Sequence, residues 1–304
     1  MTLPLHRLVA GVLAGLLAGG TLAGCAAFSK GSVSTADGVE VAAAFYPLQW
    51  VSARVAGGHA TVEGLTTPGT EPHDLELDVR RTAEVSQADL VVYERGFQPA
   101  VDAAVDDVAA GRTLDVASVV PLVPFRDHGV DSGELDPHFW QAPLLLADVG
   151  DAVARQLARI DPAHAADYRT HAAALRARLS RLDAAYRRGL SHCARHVVVV
   201  SHDAFGYLQR YGVTMEAILG LSPDSEPTPA DIARLQHVVR DDGVTTVFSE
   251  ELAPQQLADQ LAHDTGVRSA VLDPIEGLSD RTAGEDYLSL MRSNLTRLEE
   301  ANGC

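Results

Sequence analysis

Four short segments each carry a side chain that can hold a transition-metal ion. They are Glu71-Pro72-His73-Asp74, Asp136-Pro137-His138-Phe139-Trp140, Ser201-His202-Asp203 and Leu272-Asp273-Pro274. Three imidazoles and one carboxylate suit zinc, which takes His nitrogen at about 2.0–2.1 Å and carboxylate oxygen at about 2.0–2.2 Å, commonly with four ligands. Thiolate sites would favour copper(I), and all-oxygen sites would favour magnesium, calcium or manganese. The chain has 12 histidines, so residue type alone does not select the set. His59, His164, His171, His192, His196, His237 and His263 take the ordinary reading of satisfied or solvent-facing side chains.

Placement along the chain separates the four segments from that background. Apolar runs bounded by turns read as strands at Val39–Ala44, Leu90–Tyr93, Thr113–Val116, Val197–Val200, Val244–Phe248 and Ala270–Leu272. Helical segments lie between them, at Asp78–Ser86, Pro229–Arg240 and Pro254–Asp264. Thr228, Pro229 and Asp231 make a capped helix start with Pro at its first position. This alternation predicts parallel sheets covered by helices. Parallel sheets bind ligands beyond the carboxyl ends of their strands. His202 and Asp273 stand one or two residues past such ends. His73 and His138 each follow a proline, which limits the freedom of the loop presenting the imidazole.

The middle of the chain differs. From Pro143 to Leu190 the pattern predicts a helix to Ile160, a break at Asp161–Pro162 and one long helix over about 162–189. Leu175, Leu179, Leu182 and Tyr186 recur at helical spacing and mark its buried stripe. A helix of 25 or more residues spans roughly 38–40 Å, enough to run beside two lobes. The predicted organisation is an N-terminal α/β lobe over 39–145, a helical linker over 146–190 and a C-terminal α/β lobe over 191–304. Two lobes contributing two ligands each would meet around one ion.

The beginning of the chain reads as a targeting segment. Residues Leu8 to Gly24 carry no charge, follow Arg7 and end in small residues, as a signal peptide does. The run Leu22-Ala23-Gly24-Cys25 resembles the lipobox of bacterial lipoproteins, which implies a signal peptide over 1–24 and lipidation at Cys25. Residues 25–38 are small and polar and read as a flexible tether. An exported chain lives where disulfides persist, and the two remaining cysteines, Cys193 and Cys304, are candidates to pair. The alternative is two free thiols. The net charge of −17 argues against a nucleic-acid partner, which needs basic faces.

Seven segments together resemble the metal-binding proteins of bacterial zinc and manganese ABC importers. They are Ala44-Phe45-Tyr46-Pro47-Leu48, Glu71-Pro72-His73-Asp74-Leu75-Glu76, Asp136-Pro137-His138-Phe139-Trp140 and Ser201-His202-Asp203-Ala204-Phe205-Gly206-Tyr207-Leu208, then Ser222-Pro223-Asp224-Ser225-Glu226-Pro227-Thr228, Val247-Phe248-Ser249-Glu250 and Leu272-Asp273-Pro274. The resemblance implies two α/β lobes joined by a long rigid helix, with the metal in the cleft between them. It implies His73, His138, His202 and Asp273 as ligands, with Glu71 and Glu250 as alternative carboxylates. It also implies a monomeric, lipid-anchored protein that delivers Zn2+ to an importer permease and its ATPase. Manganese-type relatives usually carry Glu where His202 stands, so His202 points to zinc. Many zinc-type relatives have a long His-rich loop before the second ligand. Here 125–135 holds one His and reads as a solvated loop. The competing functions are a manganese-type binding protein, a zinc hydrolase and a surface adhesin. A hydrolase reading lacks an HExxH helix, and a carboxylate at the fourth position would close the site.

Overall fold

Strands buried on both faces read as unbroken apolar runs, and strands of this kind lie at the centre of the two four-stranded parallel sheets. The computed structural model describes residues 38–127 and 130–304. In the first sheet, β1 (Val39–Ala43) and the wholly buried β3 (Leu90–Tyr93) are central. The edges are β2 (Ala60–Gly64) and β4 (Thr113–Asp115), in the order β2-β1-β3-β4, all parallel. In the second sheet, β7 (Val197–Val200) and β9 (Thr246–Ser249) are central. They lie between β8 (Thr214–Ala217) and β10 (Arg268–Val271), again all parallel, in the order β10-β9-β7-β8. Helices cross between strands: α1 (Tyr46–Ala56), α2 (Val79–Gln87) and α3 (Pro99–Val108) in the first half. In the second half α6 (Pro229–Asp241) and α7 (Gln256–Thr265) do so. Thr228 and Asp231 form a reciprocal capping box at the start of α6.

The middle segment folds as its pattern predicts. Helix α4 (Pro143–Ile160) ends at Asp161, a single 3-10 turn covers Pro162–His164, and α5 (Ala165–Gly189) follows. Leu175, Leu179, Leu182 and Tyr186 are all buried. Helix α5 is 25 residues long, about 38 Å at 1.5 Å per residue. Near its start, His171 Nδ1 lies 3.0 Å from Val55 O of α1. Near its end, Tyr186 donates to Met291 O of α8 (Tyr287–Asn302) at 2.7 Å, and Asp183 accepts from Tyr211 at 2.8 Å. The helix therefore grips elements of both halves.

Three differences from the sequence reading have physical causes. Strands β2 and β8 are sheet edges with half-exposed, partly polar residues, so they show no apolar run. Helices α1, α3 and α8 also escape the pattern; α1 and α8 bury so much of their surface that no clear stripe shows. The 125–135 stretch is not a plain loop. Its ends belong to an antiparallel hairpin, β5 (Val123–Asp127) and β6 (Val130–Asp136). Tyr207 fastens this hairpin, accepting from Val123 N at 3.1 Å and donating to Asp136 O at 2.9 Å. The signal segment 1–24, Cys25 and all of the tether except Gly38 lie outside the described residues.

Cys193 and Cys304 are disulfide-bonded across a sequence separation of 111 residues. The bond joins the end of α8 to the entry of β7, beside a backbone bond from Arg195 N to Asn302 O at 3.0 Å. Replacing both cysteines by serine is expected to cost about 4–5 kcal/mol of stability, the chain-entropy value for a loop of this size. Urea unfolding with an unchanged slope would read this directly, and a loss below about 1 kcal/mol would contradict it.

Candidate metal centre

Each histidine is held from behind by its own local contacts, which leaves one ring nitrogen facing forward. The loop after β2 carries His73. Thr66 ties that loop to the end of β1 through Ala44 O, and Gln98 donates to both Thr66 Oγ1 and Pro72 O at 3.0 Å. Glu71 Oε2 accepts from His73 N at 2.9 Å, and the Phe97 ring meets the imidazole edge-on at 4.6 Å. His138 follows β6. Asp136 Oδ1 accepts from His138 N at 2.9 Å and lies 2.8 Å from His138 Nδ1. A carboxylate there fixes the tautomer and turns Nε2 outward. The other Asp136 oxygen packs so close to the chain after β7 that a Cβ at Gly206 would lie 2.6 Å from it.

His202 stands two residues past β7, and Glu250 stands one residue past the neighbouring β9. Glu250 Oε1 accepts from Ser201 Oγ and, at 3.0 Å, from His202 N. It lies 2.6 Å from His202 Nδ1 as an ion pair, although the contact is not aligned as a hydrogen bond. Glu250 thus occupies the same position behind His202 that Asp136 occupies behind His138.

The forward nitrogens converge on one carboxylate, Glu276. Its Oε1 lies 3.7 Å from His73 Nε2, 3.2 Å from His138 Nε2 and 3.4 Å from His202 Nε2. All four residues offer ligand atoms within 4.8 Å of one another. The three nitrogens and the oxygen are buried, and none has a hydrogen-bond partner among the described residues. Ligands about 2.0–2.1 Å from a tetrahedral zinc ion stand about 3.3–3.4 Å apart. The three nitrogen–oxygen separations bracket that edge length. The arrangement therefore offers three nitrogens and one oxygen to a single small cation.

The sequence-predicted residues divide accordingly. His73, His138 and His202 come together. Asp273 does not join them, because its Oδ1 accepts from Ile275 N at 2.7 Å and its backbone is bonded to Asn294. Glu250 stands behind His202, whereas Glu71 accepts from His73 N and its carboxyl also lies against Glu276, bordering the four-residue cluster without joining it. Glu276 escaped the sequence reading although it lies in the same loop after β10. The signal available was an acid three residues beyond the strand-end Asp273. What conceals it is the turn at Ile275, where φ is 62°.

Electrostatics sharpen the site. Burial opposes charge on His138, yet Asp136 and Glu276 outweigh it and hold the imidazole up at about 9. Burial likewise opposes charge on His202, and Glu250 and Glu276 overcome it, so its value rises well above the ordinary one. Burial dominates at His73 and pushes it down. Burial would raise Glu276, but the imidazoles of His138, His202 and His73 that face it hold it well below the usual carboxylate range. Burial, with the charge of Glu276, pushes Glu71 up to about 8. Burial also lifts Asp273 to about 7. A cleft of about 810 Å³, lined by His73, Phe97, Glu134 and Gly220 among others, opens onto the His73 side.

Comparison with known proteins agrees with this geometry. The family model described as zinc-uptake complex component A, periplasmic (ZnuA), matches residues 41–301. The zinc-binding lipoprotein AdcA of Streptococcus pneumoniae TIGR4 is 35% identical over 281 residues, covering 87% of this chain and 56% of that protein. This chain thus spans little more than half the length of that relative. The high-affinity zinc uptake system protein ZnuA of Bacillus subtilis strain 168 is 30% identical over 289 residues, covering 90% of this chain and 91% of the relative. Among solved structures, the Zn(II)-bound ZnuA-like domain of Streptococcus pneumoniae AdcA superposes with a TM-score of 0.75 at 33% identity. That match covers 88% of this chain and all of the other.

Proposed function

We propose that this chain, which belongs to the ZnuA family of zinc-uptake components, captures one Zn2+ ion outside the cytoplasm and delivers it to an ABC-type importer. The ligands in this reading are His73, His138, His202 and Glu276. The observation that carries it is the set of four buried ligand atoms, unpartnered among the described residues, that lie within 4.8 Å of one another around Glu276. Three nitrogens and one oxygen favour zinc over the harder manganese, which prefers oxygen. The family consists of binding components rather than enzymes. Glu276 would complete a four-coordinate sphere, so no position would remain for a reacting water. The importer permease and ATPase, a monomeric state, anchoring through Cys25 and the lobe limits 39–145 and 191–304 form part of the same proposal.

The test is metal competition on the mature, chelator-treated protein. One zinc per chain, with zinc bound in preference to manganese, is the expected result; manganese preference or no stoichiometric zinc would overturn the reading. In His202→Glu the zinc-to-manganese affinity ratio is expected to fall by at least about tenfold, the lower range for a disturbed metal shell. An unchanged ratio would count against a ligand role for His202.

A further inference from the structure

Ile275 is the only non-glycine residue among the described ones with a left-handed backbone. A β-branched residue there is a genuine outlier. Such a conformation persists only where the surroundings over-determine it. The surroundings here are unusually complete. Asp273 Oδ1 accepts from Ile275 N at 2.7 Å. Asn294 of α8 accepts from Asp273 N at 3.0 Å and donates to Asp273 O at 2.6 Å. Pro274 O accepts from Trp140 Nε1 at 2.8 Å and from Gln141 Nε2 at 2.5 Å. Tyr46 N, at the start of α1, reaches Glu276 O at 3.4 Å. Ile275 itself is fully buried.

Trp140 and Gln141 belong to the short 3-10 turn that begins directly after His138. The turn presenting Glu276 is therefore fastened to the segment presenting His138, and to α8 from the other side. We propose that Gln141, Trp140, Asn294 and Asp273 are positioning residues that hold the strained Ile275 turn and thereby set the metal selectivity of the site. The inference rests on the zinc-binding reading above. A turn released from these bonds would let Ile275 return to ordinary backbone angles and draw Glu276 away from the three nitrogens. A looser sphere penalises a tetrahedral ion more than one that accepts six ligands with added water.

Gln141→Leu tests this with little other disturbance. Among the described residues it removes one of two bonds to Pro274 O, and the Gln141 Oε1 atom has no hydrogen-bond partner to lose. Zinc affinity is expected to fall about tenfold, as when partners behind metal ligands are removed. Manganese affinity should stay within about threefold. The visible absorption of the cobalt(II)-substituted protein should weaken as tetrahedral geometry is lost, while the unfolding midpoint of the metal-free protein holds. Ile275→Gly supplies the second arm, because glycine adopts positive φ without steric cost. In that background Gln141→Leu is expected to change zinc affinity by less than about threefold. Equal weakening of zinc and manganese, an unchanged cobalt spectrum, or a full Gln141→Leu effect in the glycine background would each overturn the proposal. Failure of the wild-type protein to bind one zinc would instead defeat the functional reading on which it stands.

Discussion

Zinc titrated into the chelator-treated protein at pH 7 is expected to displace close to two protons per ion, and affinity is expected to fall about 100-fold per pH unit on acidification. The sign follows from which form binds. A ring nitrogen must be unprotonated to ligate zinc. His138, held up at about 9, and His202, held well above its ordinary value, both carry a proton at pH 7 in the metal-free protein. His73 is pushed down by burial and is neutral there. Glu276 is held low and stays anionic. Each metal-binding event at neutral pH therefore expels the protons of His138 and His202. Two protons per ion correspond to about 2.7 kcal/mol of zinc affinity per pH unit. The slope should diminish above about pH 9, where His138 deprotonates by itself. Calorimetry in buffers of differing ionisation enthalpy measures the count. Fewer than one proton released, or a flat affinity between pH 6 and 8, would show that His138 and His202 do not both give up a proton to the ion.

This pH range was not legible in the sequence. Three histidines alone predict weakening below about pH 6, near the ordinary imidazole range. The shift upward comes from Asp136, Glu250 and Glu276, each brought against a histidine by the fold. Asp136 stands two residues from His138 and was visible as a neighbour. Glu250 lies on a different strand from His202, and only the pairing of β7 with β9 brings the two together.

The same contrast runs through the fold. Central strands such as Leu90–Tyr93 and Val197–Val200 were plain because burial on both faces demands unbroken apolar runs. The long α5 was plain because its stripe repeats over many turns and no strand residue interrupts it. Edge strands β2 and β8 were hidden because solvent on one side permits Thr and Glu. Their existence follows from the sheets around them rather than from their own residues. His202 was legible because loop ends of parallel strands are where such sheets bind ligands, and His73 and His138 because each follows a proline that limits the freedom of its loop. The fourth corner was not, because strand-end position fixes where a loop begins but not how it turns. At Ile275 the chain adopts a backbone angle that sequence pattern assigns to glycine. That single turn moves the carboxylate facing the nitrogens from position 273 to position 276.

The identity of that corner has a direct consequence. Glu276→Gln is expected to weaken zinc binding by roughly two to three orders of magnitude, whereas Asp273→Asn should leave it within about threefold. Removing one partner of a buried ion pair costs about 3–5 kcal/mol, and each 1.4 kcal/mol is about tenfold in affinity. Glu276 Oε1 faces three imidazoles, so its neutralisation removes the anion set against the forward nitrogens. Asp273 differs in kind. The one oxygen it uses accepts from Ile275 N, which an asparagine Oδ1 also does. Its other oxygen has no hydrogen-bond partner among the described residues, and burial already lifts the carboxyl to about 7. A neutral isostere therefore preserves the turn while removing a charge the site does not use. Competition titrations on the two variants separate the cases. A large loss in Asp273→Asn with little change in Glu276→Gln would make Asp273 the ligand, and the Ile275 turn would then have to open before metal could bind.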